Sequence, residues 1–298
     1  MNALMIINPV SGKMILAKYF ADISRILSEA GYALDVRLTT AKGDAQKIVE
    51  NCGENFDTVI CCGGDGTLNE IINGIMSKKL SINIGYIPCG TTNDFAASIG
   101  ITTNVIKATR DIADGNVTSV DVGKFSDTYF SYVASFGAFT QSSYNTPQNM
   151  KNTLGHFAYV LEGVKEIPYL KPTVVSITTE TGEKYSDEYF MGAISNSTSI
   201  AGIIKLDEKL VDMSDGLFEV MLVKFPKNII DLNTIITCVN TGNFNNPCID
   251  FFKAKELVIE SDDSISWALD GELYEGQKTE LIKNCNKAIN IILPSKKQ

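Results

Sequence analysis

The stretch that most restricts this chain is Cys62-Gly63-Gly64-Asp65-Gly66-Thr67-Leu68-Asn69-Glu70, in which the apolar run Thr58-Val59-Ile60-Cys61-Cys62 ends in three glycines interrupted by one carboxylate. A short β-branched run reads as a buried strand. Glycines at its carboxyl end permit φ > 0 and an approach to a ligand that any Cβ would block. Downstream, Leu68, Ile71, Ile72, Ile75 and Met76 recur at helical spacing, so a helix start with its unpaired amides and positive dipole end points at the same loop. Phosphate fits such a place, although a plain core turn would use the same residues. A dinucleotide fingerprint does not fit, because Asn69 stands where the third glycine belongs. A Walker loop does not fit either: before Gly12-Lys13 the first glycine position holds Ile7, and Met14 follows. The carboxylate within the glycines calls for a divalent cation or a hydroxyl as its partner.

The chain around this stretch alternates. Leu4 to Ile7 is a short strand ending at Asn8-Pro9, and Val10-Ser11-Gly12-Lys13 supplies a hydroxyl and a cation before a helix from Met14 to Ala30. Ala33 to Thr40 reads as a strand, Gly43 to Asn51 as a helix, and Ile82 to Ile87 as the strand after the Leu68 helix. This order predicts a parallel sheet with helices on both faces and ligands at the carboxyl ends of its strands. Pro88-Cys89-Gly90-Thr91-Thr92-Asn93-Asp94-Phe95 then lies on the same rim, as an N-cap cluster or a further ligand loop. From about Asp121 short strands follow with one substantial helix, roughly Leu154 to Glu166, which predicts a mostly antiparallel second domain. The boundary is placed near 122, giving domains 1–122 and 123–287, with the apolar strand Ala288 to Leu293 free to return to either.

A chain of 298 residues with 44% hydrophobic content supports one large or two medium domains. It holds no run of about 18 apolar residues, and its amino end reads as a strand rather than a signal peptide. A cytoplasmic protein is the expectation. Seven cysteines scattered through apolar runs read as reduced thiols, and the single His156 has no partner at metal spacing. A net charge of −9 argues against nucleic acid and against strong adhesion to anionic bilayers, while leaving transient contact with a membrane surface open.

Two carboxylate groups mark the second half. Asp212-Met213-Ser214-Asp215-Gly216-Leu217 offers oxygens to a hard cation, or is an ordinary turn. In Trp267-Ala268-Leu269-Asp270-Gly271-Glu272 an apolar strand ends at two carboxylates flanking glycine, where either could serve as a general base, or where the chain makes a hairpin.

Taken in order, Asn8-Pro9-Val10-Ser11-Gly12-Lys13, Gly63 to Glu70, Gly90-Thr91-Thr92-Asn93-Asp94-Phe95 and Leu269-Asp270-Gly271-Glu272 resemble the lipid kinases of the diacylglycerol kinase and sphingosine kinase superfamily, most closely the soluble bacterial diacylglycerol kinases. The glycine-aspartate core alone is shared with NAD kinases and phosphofructokinases. The resemblance implies an amino-terminal three-layer α/β nucleotide domain, a carboxyl-terminal antiparallel β-sandwich, and a cleft where ATP meets a lipid hydroxyl. It implies that Asn8, Pro9, Val10, Ser11, Gly12, Thr39, Gly64, Asp65, Gly66, Thr67, Leu68, Asn69, Glu70 and Thr91 line the nucleotide. Glu272 is the implied base, with Asp270 beside it, and Asp65, Asp94 and Asp121 the implied network around a catalytic Mg²⁺. The Asp215 turn is the implied structural Mg²⁺ site, with Asp212 and Leu217 giving main-chain carbonyls. The substrate so implied is a diacylglycerol-like membrane lipid reached at the inner membrane surface, and a homodimer is compatible with it. A kinase of sphingosine or ceramide, an NAD kinase, and a nucleotide- or lipid-binding protein without turnover are the alternatives. One departure stands out: the bacterial diacylglycerol kinases carry a Lys where this chain has Glu162, whose like charge would raise nearby carboxylate pKa values. Lys165, one turn onward, could take its place.

Overall fold

A computed structural model describes residues 1–11, 15–138, 172–200, 204–207 and 210–295. The chain divides into two compact units, Met1–Val122 with Asn286–Gln298, and Gly123–Cys285.

In the first unit, strands Asn2–Ile7 (β1), Ala33–Leu38 (β2), Thr58–Gly63 (β3) and Asn83–Pro88 (β4) form a parallel sheet in the order β4-β3-β1-β2. The helices are Ile15–Glu29 (α1), Asp44–Cys52 (α2), Asp65–Lys78 (α3), Asp94–Ser98 (α4) and Val105–Asp114 (α5). Ala3, Met5 and Ile7 of β1 pack with Ile23 and Leu27 of α1 and with Ala108 and Ile112 of α5. The alternate residues Leu4 and Ile6 are just as buried and face the other way, toward the layer in which α3 packs on β3 and α2 on α3. Burial on both faces is why β1 and β3 are unbroken apolar runs rather than alternating ones.

Two details differ from the sequence reading. The helix after β3 begins at Asp65, not Leu68, and β3 runs through Gly63, so Gly64 alone (φ −95, ψ −173) joins strand to helix. Asp65 is stable there because a carboxylate in a first turn meets the positive end of the helix dipole. The final strand is also longer than expected.

In the second unit the strands are the end of Asn116–Phe125 (β5), Thr128–Phe130 (β6), Val133–Gly137 (β7), Thr173–Thr179 (β8), Lys184–Ser195 (β9), Ser199–Ile200 (β10), Ile204–Lys205 (β11), Phe218–Lys224 (β12), Ile249–Ala254 (β13), Glu256–Glu260 (β14), Ser266–Leu269 (β15), Glu272–Glu275 (β16) and the first part of Thr279–Leu293 (β17). The β6–β5, β7–β9, β8–β9, β12–β13 and β15–β16 pairs are all antiparallel. Trp267 anchors the core, with the rings of Phe125 and Phe136 edge-on at 4.8 and 5.0 Å. β17 serves both units: Thr279–Lys283 pairs antiparallel with β14, while Asn290 and Ile291 pair parallel with Asn83 and Ile84 of β4.

The run Tyr129–Val133, which reads as one strand, is split between β6 and β7 at Ser131-Tyr132, because those amides bond a side chain instead of a neighbouring strand. Among the described residues of this unit a helix spans Ile229–Thr241 (α6), where the sequence alone predicts none. Its Ile, Thr and Val content favours strand, but Asn228 caps it by accepting from the amides of Ile230 (2.8 Å) and Asp231 (3.0 Å), and Gly242 closes it at φ 69. The helix expected over 154–166, with His156, Glu162 and Lys165, lies outside the described residues.

Candidate active site

The polar loops of the first unit converge at the carboxyl ends of β1, β3 and β4. The Asn8 side chain donates Nδ2–H to Thr67 Oγ1 (3.1 Å), and its Oδ1 accepts from the Val10 amide (3.1 Å). The 8–11 loop is thereby fixed to the first turn of α3. Asp65 reaches the next loop, its Oδ2 accepting from the amide of Asp94 (3.0 Å) and its Oδ1 from that of Phe95 (3.4 Å). Those two bonds cap α4. Gly90 is closed by Asn93, which accepts from its amide and donates to its carbonyl, both at 2.9 Å. The two glycine steps touch: a Cβ at position 90 would lie 2.7 Å from Gly64 Cα. Glycine is required there by contact between backbones, not by a positive φ.

The first intrahelical bond of α3 is Leu68 N–H to Gly64 O (3.1 Å), so the amides before it have no partner within the helix and form an anion-binding end. Gly66 and Thr91 are exposed at this rim, as are Pro9 and Val10, and Ser11 is half-buried. The Leu68 side chain is fully buried in the core and its amide is bonded to Gly64 O. Asn69 accepts from Asn73 along α3 (2.9 Å), and the Glu70 carboxylate is turned onto the start of α2. Gly12 falls outside the described residues. Asp121 is fully buried, and its Oδ1 accepts from Asn286 Nδ2 (3.0 Å) and the Lys287 amide (2.6 Å). Its role here is to pin the bend of β17, where Lys287 has φ 50. Beneath the loops, burial pushes the Cys62 thiol well up and the Cys89 thiol up to about 11, which keeps both protonated and inert.

In the second unit, Asp270 and Gly271 have φ 49 and 83 and join β15 to β16 with Leu269 opposite Glu272. Two central residues at positive φ make the two-residue hairpin for which Asp-Gly is the favoured pair. The Asp270 carboxylate is buried and accepts from three consecutive amides, Ser131 (2.5 Å), Tyr132 (3.0 Å) and Val133 (3.1 Å). Burial raises its pKa, against the pull of those three bonds. It is thus the anchor of the hairpin, and Glu272, the exposed first residue of β16, is the carboxylate that the hairpin presents.

The Asp212–Leu217 turn is held by its own side chains. Asp212 Oδ1 accepts from Ser214 N (3.0 Å) and Oγ (2.8 Å), and Asp215 Oδ1 from Leu217 N (2.9 Å). Asp215 Oδ2 meets the Lys253 ammonium at 2.9 Å, which also lies 3.1 Å from the fully buried Glu219. Burial pushes Glu219 up to about 7, against the Lys253 charge. Among the described residues no group of three or more His, Cys, Asp or Glu could hold a metal. A hard cation at this turn would share Asp215 Oδ2 with the Lys253 ammonium, because Asp215 Oδ1 is taken by the Leu217 amide.

A parallel sheet with a glycine-aspartate helix start, followed by an antiparallel unit with a carboxylate hairpin, is the arrangement of a kinase-type phosphotransferase. Residues 2–125 match the family model described as the diacylglycerol kinase catalytic domain. The chain is 32% identical to a diacylglycerol kinase of Bacillus subtilis, over 99% of this chain and 97% of that one. It is 34% identical to a diacylglycerol kinase of Staphylococcus saprophyticus, over 98% and 95%. A crystal structure from Bacillus anthracis str. Sterne, described as a candidate diacylglycerol kinase, superposes with a TM-score of 0.82 at 26% identity, covering 98% of this chain and 95% of that one. The chain belongs to the diacylglycerol kinase family. Among the described residues no helix is long and apolar enough to cross a membrane.

Proposed function

We propose that the chain transfers the γ-phosphoryl group of ATP to the hydroxyl of a membrane lipid, with diacylglycerol as acceptor and phosphatidic acid as product. The observation that supports this reading is the bonding of three rim loops to one another beside the start of α3, through Asn8 to Thr67, Asp65 to the 94–95 amides, and Gly64 against Gly90. The names of the relatives support the acceptor.

In this reading the amides at the start of α3 and the hydroxyls of Ser11 and Thr91 hold the phosphates, and Thr39 and Asn8 border the rest of the nucleotide. Asp65 and Asp94 would hold Mg²⁺ with the phosphate oxygens, and the ion supplies charge neutralisation to the transferring group. Asp215, with the carbonyls of residues 212 and 217, would hold a second ion that stiffens its turn. Glu272 takes the proton from the lipid hydroxyl as the hydroxyl oxygen attacks phosphorus and the ADP oxygen leaves. Asp270 keeps Glu272 in place without entering the reaction. The protein meets its lipid by transient contact at the inner membrane surface.

The test is ATP-dependent phosphorylation in mixed micelles of diacylglycerol, sphingosine or ceramide, with NAD in a detergent-free parallel. Phosphatidic acid is the expected product. Product from NAD alone, or ATP binding without any product, would overturn the lipid kinase reading.

A further inference from the structure

The loop after β2 is held with unusual care. Thr39 is buried, with its amide on Ile7 O (2.9 Å). The Asp44 Oδ2 atom turns back to accept from Thr40 N (2.8 Å), Thr40 Oγ1 (2.6 Å) and Ala41 N (2.8 Å), closing residues 40–44 into one knot. The helix that follows, α2, has no side-chain cap of its own, since Gly43 occupies its N-cap position at φ 84. Its amides are met instead from another helix. Glu70 Oε1 accepts from Gly43 N (2.8 Å) and Glu70 Oε2 from Ala45 N (3.1 Å). A carboxylate so placed also neutralises the positive end of α2. Glu70 leaves α3 little more than one turn after Asp65, so a single side chain ties the 39–44 loop to the helix whose first turn forms the phosphate end.

Parallel α/β sheets bind nucleotides along the carboxyl rim of their strands, and the 39–44 loop stands at that rim on β2, the outermost strand, beyond β1. We propose that Glu70 is a positioning residue for the nucleotide: it touches no ligand, and it fixes the 39–44 loop as the outer wall of the nucleotide site relative to the phosphate end of α3. The proposal rests on the ATP reading above. With both Glu70 oxygens committed to α2 amides, its removal acts through the wall, weakening ATP binding and leaving the rate at saturating ATP nearly intact.

The test compares Glu70→Gln, which keeps the shape and one acceptor oxygen, with Glu70→Leu, which keeps neither acceptor. ATP affinity is measured by equilibrium titration of the full chain, KM for ATP and kcat with the lipid substrate, and amide exchange at residues 40–45. The expected result is a rise of about tenfold in Kd and KM for ATP in the Leu variant, and roughly threefold in the Gln variant. kcat should stay within about threefold, and the Gly43 and Ala45 amides should exchange faster while the α3 amides do not. A fall in kcat at unchanged KM would overturn the proposal, because it would mean that Glu70 meets the reacting groups. Faster exchange at residues 43 and 45 with unchanged ATP affinity would overturn it as well. If the Leu variant does not fold, the Gln variant decides on the same criteria. Failure of the wild type to bind ATP would overturn the ATP reading and this inference together, whereas normal wild-type binding with equally tight variants overturns this inference alone.

Discussion

Two Asp-Gly steps, Asp65-Gly66 and Asp270-Gly271, both follow buried apolar strands and yet do opposite things. The first opens a helix, and its half-buried carboxylate accepts amides from the neighbouring loop. The second turns a hairpin at φ 49 and 83, and its fully engaged carboxylate holds three amides in the interior. What decides between them is the sequence beyond. After Asp65 the apolar residues recur at helical spacing, while after Asp270 Glu272-Leu273-Tyr274-Glu275 must return beside Ser266–Leu269. The two carboxylates therefore differ in kind: Asp65 ties one rim loop to the next at the surface, and Asp270 holds a strand break in the interior.

The largest effect that would break this contrast is expected next to the second step. Under the proposed mechanism Glu272→Gln removes the base and should lower kcat by roughly 10²–10⁴-fold, with ATP affinity by titration unchanged. Equal loss of both would move Glu272 into the scaffold with Asp270. Next in size is Asp270→Ala, which leaves three buried amides without an acceptor and should cost about 3 kcal/mol in urea unfolding. Asp270→Asn tolerates the same left-handed backbone and isolates the charge. Because burial raises the Asp270 pKa in the folded chain, the fold favours its protonated form. That contribution is present below the ordinary carboxylate range and is lost as pH rises through the raised folded value. Stability of the wild type should accordingly fall over that interval relative to Asp270→Asn, and a parallel pair of pH profiles would show that the three hydrogen bonds outweigh burial.

At the first step the expected effect is smaller. Gly90→Ala brings a methyl group to 2.7 Å from Gly64 Cα, so one loop must move. A cost of about 1–3 kcal/mol is expected from such overpacking, with weaker ATP binding by titration. Unchanged binding would show that the two loops need not touch to hold phosphates.

The same contrast marks where the chain could be read without coordinates. β1 and β3 are legible because strands buried on both faces, Leu4 with Met5 and Val59 with Ile60, leave unbroken apolar runs. α6 is not, because its Ile, Thr and Val residues favour strand and the deciding bonds are the cap at Asn228 and the stop at Gly242. The break at Ser131-Tyr132 is invisible locally, since its cause, Asp270, lies well over a hundred residues away. Within the site the residue types were legible and their partners were not. Leu68 sits in the glycine motif, but its side chain belongs to the core by the same periodicity that defines α3. Glu70 reads as a ligand from its position in the motif, and only the packing of α2 on α3 turns its carboxylate to Gly43 and Ala45.

The smallest effect sharpens the comparison at a third carboxylate. Asp44 is half-buried, and its pKa is lowered chiefly by the hydrogen bond from the Thr40 hydroxyl and then by the Thr40 and Ala41 amides. Its folded value lies below its unfolded one, so its contribution is present above the ordinary carboxylate value of about 4 and is lost as pH falls through the folded value, the reverse of Asp270. Asp44→Asn should therefore narrow the gap in stability between neutral and acid pH without changing the profile above it, as measured by thermal unfolding from neutral pH downward. Near-identical acid profiles would mean that the Thr40 knot forms as readily without the charge. The loop at β2 would then owe its shape to Glu70 and the backbone alone.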